Sequence, residues 1–166
     1  MEDPAYRHVL LNHLPVTGLL IAWLVLAIGV LSRQSSSLYG GLGLVALTAG
    51  SAVPVVRAGN EAYPFVFGKL DGDGQAWLDH HTYLADTWSV VLYVNAVLAA
   101  TAIGVGLWRR KLLWRSAAVV TVTTAASLVA VVAIADAGGK IKHPEFRLTY
   151  PPVHDDSPRP KQEPHS

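Results

Sequence analysis

Histidine is the residue type in this sequence best suited to hold a metal ion, because the chain contains seven histidines and no cysteine. The lack of cysteine excludes disulfide bonds, iron–sulfur clusters and thiolate-bound zinc. Candidate ligands at the ends of long apolar segments are His13, His81 and His143, with Glu61 and Glu145 near the same ends. Imidazoles with nearby carboxylates suit zinc, copper or non-haem iron, whereas two imidazoles from different helices suit a b-type haem.

The residues that follow His81 indicate what the inner face of its segment contains. With helical spacing His81 shares one face with Trp88 and Asn95, and Asn95 is the one strongly polar amide deep in that segment. We expect this face to point into a helix bundle, where Trp88 could contact a cofactor ring. His80 lies about 100° around the helix and is the alternative ligand. Candidate partners for the acidic groups of a haem are Arg57, Lys140 and Lys142.

Four apolar segments must position these side chains. The chain has 166 residues, of which 51% are hydrophobic and only 15% are charged, whereas about a quarter of the residues in a soluble domain are charged. Each segment is long enough to cross the hydrocarbon core of a bilayer, about 30 Å thick, as an α-helix. The segments cover about residues 13–32, 38–57, 81–108 and 113–136.

The sequence therefore predicts an all-α fold, an integral membrane four-helix bundle within residues 1–150. Residues 151–166 are rich in proline and lack an apolar pattern, which predicts a disordered tail. An even number of spans leaves both termini on one side of the membrane. The two short connections contain five basic residues and no acidic one, so they are predicted to face the cytoplasm. These residues are Arg33, Arg109, Arg110, Lys111 and Arg115.

Other functions are excluded by charge and by the absence of motifs. The net charge is only +1, which creates no field strong enough to recruit nucleic acid. The sequence contains no H-E-x-x-H, no G-x-S-x-G, no P-loop and no dinucleotide-binding fingerprint. An electron-transfer or accessory subunit in the lipid bilayer is therefore favoured over a stand-alone enzyme.

Four short motifs resemble a family of small bacterial four-helix membrane proteins. They are Asn12-His13-Leu14-Pro15, Gly59-Asn60-Glu61, Leu78-Asp79-His80-His81 and the run G-G-K-I-K-H-P-E at residues 138–145. The resemblance extends over about residues 6–147, and members of this family are sometimes described as haem-binding or cytochrome-like. It implies a bacterial inner-membrane location, with haem as the cofactor and His13, His81 and His143 as the positions to consider.

The first hypothesis is that the protein binds b-type haem at its periplasmic face and exchanges electrons with a periplasmic carrier, quinone or another subunit. In this hypothesis His13 and His81 are ligands, His143 is a third ligand or a hydrogen-bond partner, and Glu61 and Glu145 orient imidazoles. Another transition metal bound by the same histidines and carboxylates is the alternative cofactor. Two further hypotheses are a structural subunit of a larger respiratory or photosynthetic complex and a periplasmic metal-handling protein.

Overall fold

Four long helical spans form the molecule, and the structure, a computed structural model, describes residues 3–151. Span 1 consists of α1 (Pro4–Leu11), a π-helical turn (Leu14–Gly18) and α2 (Leu19–Ser32). Span 2 consists of α3 (Ser35–Gly50) and α4 (Ala52–Phe67). Span 3 is α5 (Gly72–Trp108), and span 4 is the turn Arg110–Leu112 followed by α6 (Leu113–Lys142). A short turn of 3₁₀-helix, Pro144–Phe146, follows α6.

The prediction of four helices that are long and apolar enough to span a membrane is confirmed for the residues that the structure describes. The spans contain 29, 33, 37 and 33 residues, and all four are long and apolar enough to cross a membrane. Spans 1 and 2 form hairpin A, and spans 3 and 4 form hairpin B. We call the end with the two short connections the loop end, and the opposite end the terminal end. The predicted tail lies almost entirely outside the described residues.

The helices extend several residues beyond the predicted boundaries at the terminal end. Span 1 begins nine residues earlier than expected, because Asp3 accepts a hydrogen bond from the Ala5 amide and Pro4 suits the first helical position. The expected loop between spans 2 and 3 is mostly helical, since Asp71 caps α5 by accepting from the Gly74 amide. Gly138 and the glycine after it do not end α6, because helical glycine costs only about 1 kcal/mol relative to alanine.

Side chains from all four spans fill the half of the bundle near the loop end. Leu26, Leu42, Ala99 and Ala117 are fully buried there. The backbones approach closely, since a Cβ on Gly41 would lie 2.6 Å from the Leu26 Cα atom. Outward-facing side chains are apolar, as a helix surface in contact with lipid requires. Examples with more than two thirds of their surface exposed are Leu31, Leu47, Leu107, Val122 and Val129.

Prolines interrupt spans 1 and 2 at the same depth. Pro15 lies in the π-helical turn, and Pro54 follows the break at Ser51, because proline cannot donate the backbone hydrogen bond that a continuous helix needs. The two breaks are neighbours, since a Cβ on Gly18 would lie 2.9 Å from the Thr48 Cγ2 atom. Beyond the breaks α1 packs against α4, while α5 packs against α6. This arrangement leaves room between the hairpins at the terminal end.

Candidate cofactor site

A cavity of about 530 Å³ lies between the hairpins at the terminal end. All four spans contribute to its wall. Apolar side chains make up most of the lining, among them Val55, Leu78, Leu92, Val131 and Ile134. Its volume is within the range of about 300–1,000 Å³ that ligand sites occupy.

His8 of α1 lines this cavity and is held by hairpin A. Its Nδ1 lies 3.0 Å from the carbonyl oxygen of Val55 in α4. A carbonyl only accepts hydrogen bonds, so Nδ1 must carry the proton. In a neutral ring with this contact the lone pair is on Nε2, which makes no hydrogen bond within residues 3–151. This is the protonation state in which a histidine binds a metal through Nε2.

His81 of α5 has the equivalent arrangement in hairpin B. Its Nδ1 lies 2.9 Å from the carbonyl oxygen of Ile134 in α6, so Nδ1 again donates the proton. Like His8, it is half-buried in the cavity wall. Both rings are thus held by a backbone carbonyl of another helix, with Nε2 available.

The two imidazoles lie close to each other in the wall of the cavity. Their ring centres are 6.2 Å apart, and the ring planes are nearly perpendicular at 86°. Two imidazoles that bind one metal ion from opposite sides, each through a bond of about 2.0 Å, have ring centres about 6 Å apart. The separation of His8 and His81 matches that distance.

His13 also lines the cavity, but at its exposed edge. Its Nδ1 lies 3.0 Å from the Val9 carbonyl oxygen in its own span. Other polar residues that line the same cavity include Asn12, Asn60 and Lys142. Asn60 and Lys142 are exposed to solvent, so together with His13 they form a polar opening to an apolar interior.

A buried polar pair lies beside the cavity. The hydroxyl of Tyr63, which lines the cavity, donates to Asp79 at 2.5 Å. Both residues are buried, and they join α4 to α5. This contact connects the hairpins directly at the terminal end.

The predicted ligands His143 and Glu145 do not reach the cavity. The His143 ring stacks on Phe146, and its Nδ1 lies 2.9 Å from a Glu145 carboxylate oxygen. The backbone amide of Glu145, followed by the contact with His143, lowers the pKa of the Glu145 carboxyl. Both side chains are more than half exposed, so they form a surface pair after α6.

The other residues predicted to contact the cofactor or a metal ion also lie outside the cavity. Glu61 pairs with Arg7 at 2.6 Å. His80 lies against the Trp77 ring with ring centres 5.7 Å apart. Trp88 is 47% exposed and Arg57 is exposed, and neither lines the cavity.

Within residues 3–151 no group of three or more histidine and carboxylate side chains is close enough to hold a metal ion. Of the three histidines expected to act together, the cavity brings together His13 and His81. The histidine whose ring lies next to that of His81 is His8, which was not among the predicted ligands. The cavity lining within the described residues therefore contains imidazoles, with the backbone carbonyls that bind them, but no carboxylate.

The involvement of His8 was missed because span 1 was predicted to begin at about residue 13. The signal was present in the sequence, since Asp3 followed by Pro4 is a typical helix start. A helix that starts there places His8 and Asn12 on one face, four residues apart. Recognition of that start would have brought His8 into the bundle.

Comparison with family models, with curated proteins and with solved structures finds no match for this chain.

Proposed function

We propose that this protein is an integral membrane electron-transfer protein that binds b-type haem through His8 and His81. The observation that carries this proposal is the pair of neighbouring imidazoles in the cavity wall, with ring centres 6.2 Å apart and both Nδ1 atoms bound to carbonyls. We place the site at the periplasmic face of a bacterial inner membrane, because the basic connections lie at the opposite end.

The surroundings of the two rings fit a haem better than a bare metal ion. A bare transition metal in a protein usually has three or four protein ligands, whereas two imidazoles complete the coordination of a haem iron. The apolar walls, including Leu92 and Val131, suit a porphyrin. Lys142 and Asn60 at the opening could bind the propionates, and Lys142 is one of the three basic residues predicted for this role.

The contribution of the chain is to orient and shield the iron ligands. The carbonyls of Val55 and Ile134 fix both imidazoles in the tautomer that leaves Nε2 available, and they raise the basicity of the rings. A haem held in this way supplies reversible one-electron exchange. The apolar wall excludes water and influences the reduction potential of the site.

Substitution of single histidines tests this proposal. We expect His8→Ala and His81→Ala each to abolish the low-spin haem spectrum of the protein purified in mild detergent from a haem-producing host. His143→Ala should retain the spectrum, because its ring is outside the cavity, and His13→Ala should retain low-spin absorption with at most weaker haem binding. Gel filtration checks that each variant is folded.

Two results would contradict the proposal. One is a wild-type protein that contains no haem when produced under these conditions. The other is a haem spectrum that survives His8→Ala but is lost in His13→Ala, which would return the ligand role to the residue predicted from the sequence.

A further inference from the structure

The two histidines of the cavity occupy equivalent positions in the two hairpins. In hairpin A, His8 of the first span donates to Val55 of the second, and in hairpin B, His81 of the third span donates to Ile134 of the fourth. Spans 1 and 3 run in the same direction, as do spans 2 and 4. The two histidines therefore occupy corresponding places in the two hairpins, and we call each histidine with its carbonyl partner a half-site.

A glycine completes each half-site. Gly59 follows Val55 by four residues and Gly138 follows Ile134 by four residues, so each glycine lies one turn further along the same helix face. A Cβ on Gly59 would lie 3.0 Å from both Cε1 and Nδ1 of His8. A Cβ on Gly138 would lie 3.1 Å from Cε1 and 3.2 Å from Nδ1 of His81.

An alanine at Gly59 or Gly138 would therefore be too close to the imidazole unless the ring moved. Carbon atoms in van der Waals contact are about 3.5–4.0 Å apart. The contact is specific to position, because a Cβ on the adjacent Gly139 would have no atom within 4 Å. A side chain at Gly59 or Gly138 would displace the edge of the imidazole that carries Nδ1, and it would disturb the hydrogen bond to the carbonyl.

We infer that Gly59 and Gly138 are positioning residues in two equivalent half-sites, each composed of a histidine, a backbone carbonyl and a glycine. The inference adds two residues to the proposed haem site, and the expected effect of these glycines on haem binding rests on the proposed function. The placement of the rings themselves is a property of the chain and can be measured without haem.

Double-mutant cycles on the haem-free protein in detergent test the placement of the rings. Alanine favours a helix over glycine, so Gly138→Ala should raise Tm by about 2–4 °C in a His81→Ala background. In the presence of His81 the same substitution should lower Tm. Gly59→Ala should behave in the same way with and without His8. Gly139→Ala is the matched control and should not lower Tm in either background.

Haem binding provides the second readout. Gly59→Ala and Gly138→Ala should each weaken haem binding by about 10–100-fold, the usual effect of disturbing the partner of a metal-bound histidine. Gly139→Ala should bind haem like the wild type. The inference is overturned if Gly59→Ala and Gly138→Ala raise Tm equally with and without the histidine. A dependence of Tm on the histidine in a protein that never binds haem would support the half-sites and remove the proposed function.

Discussion

At the scale of single residues, hydrogen-bond partners separate the histidines more clearly than their positions in the sequence do. His8 and His81 donate to carbonyls of another helix, so tertiary packing determines the direction of their rings. His13 is bound within its own span, and His143 is bound to a carboxylate two residues away. Only the first two rings are therefore held across a helix interface, as a site with fixed geometry requires.

Asn95 is the polar residue that the sequence placed inside the bundle, and the structure confirms its burial, with 1% of its surface exposed. Its side-chain amide donates to the Thr124 hydroxyl at 3.1 Å and accepts from the Thr123 hydroxyl at 2.7 Å. One side chain thus joins α5 to α6 within the apolar part of the bundle.

We expect Asn95→Ala to lower the free energy of unfolding by about 0.6–2 kcal/mol, the usual contribution of hydrogen bonds between membrane helices. Unfolding in mixed detergent micelles measures this change. Thr121→Ala is the control, because the Thr121 hydroxyl bonds only to a carbonyl of its own helix. Equal effects of the two substitutions would contradict a role of Asn95 in joining the helices.

At the scale of helices, one arginine joins the end of α6 to the start of α5. Arg147 donates from Nε to the Lys140 carbonyl and from Nη2 to the Ile141 carbonyl, each at 2.7 Å. Its Nη1 donates to Asp71, the N-cap of α5, at 2.9 Å. The guanidinium satisfies carbonyls that a helix end leaves free, and its charge is favourable at a helix C-terminus.

The planar fork of Arg147 is needed for all three contacts, so lysine should be a poor replacement. We expect Arg147→Lys and Arg147→Gln each to lower the free energy of unfolding by about 1.5–3 kcal/mol. Thermal unfolding in detergent measures the loss, and Arg110→Gln at the loop end is the control. A lysine variant as stable as the wild type would show that charge alone is sufficient.

The same contact predicts a dependence of stability on pH. The hydrogen bond from Arg147, followed by that from the Gly74 amide, lowers the pKa of Asp71 below its ordinary value. The folded pKa is below the unfolded one, so this stabilisation is complete above the unfolded pKa of about 3.9 and is lost as the pH falls through the folded pKa.

Asp71→Asn should therefore destabilise the protein at neutral pH and make Tm less sensitive to pH in the acidic range below about 4. Thermal unfolding as a function of pH measures both effects. Asp73→Asn, which changes an exposed carboxylate on the same turn, is the matched control. An Asp71→Asn variant with the acid sensitivity of the wild type would exclude this carboxylate as the cause.

At the scale of the whole molecule, the two ends of the bundle differ in charge pairing. The four ion pairs found within residues 3–151 all lie at the terminal end. At the loop end two arginines lie over indole rings. Arg33 is 4.8 Å from the Trp114 ring centre and Arg109 is 4.7 Å from that of Trp108. At the terminal end Lys140 lies 4.6 Å from the Trp77 ring centre. Tryptophan is enriched at both interfaces of a membrane, and an excess of arginine and lysine in short connections is typical of the cytoplasmic side.

The absence of cysteine makes the predicted orientation directly testable. Single cysteines can be introduced at Ser36 near the loop end and at Asp73 near the terminal end, both of which are exposed. A membrane-impermeant thiol reagent should label Asp73→Cys but not Ser36→Cys in cells with a permeable outer membrane and an intact inner membrane. Both should be labelled after the inner membrane is disrupted. The reverse pattern would place the histidine cavity on the cytoplasmic side.

The sequence by itself determined the number of spans, their helical structure and the charge difference between the two ends. These features follow from long runs of apolar residues and from local composition, and they do not depend on tertiary contacts. It also predicted the inward position of His81 and Asn95, because residues separated by three or four positions share a face of any α-helix, whereas Trp88, predicted on the same face, is exposed.

Only the tertiary structure decided which histidine faces His81. The direction of a helical side chain changes by about 100° per residue, and the regular α-helix of both spans in hairpin A is interrupted near Pro15 and Pro54. The carbonyls that hold His8 and His81 belong to other helices. Because every residue has a backbone carbonyl, the residue types of Val55 and Ile134 do not reveal this role. The pairing of His8 with His81 therefore depends on the length, bend and rotation of several helices. Local sequence patterns do not specify these properties.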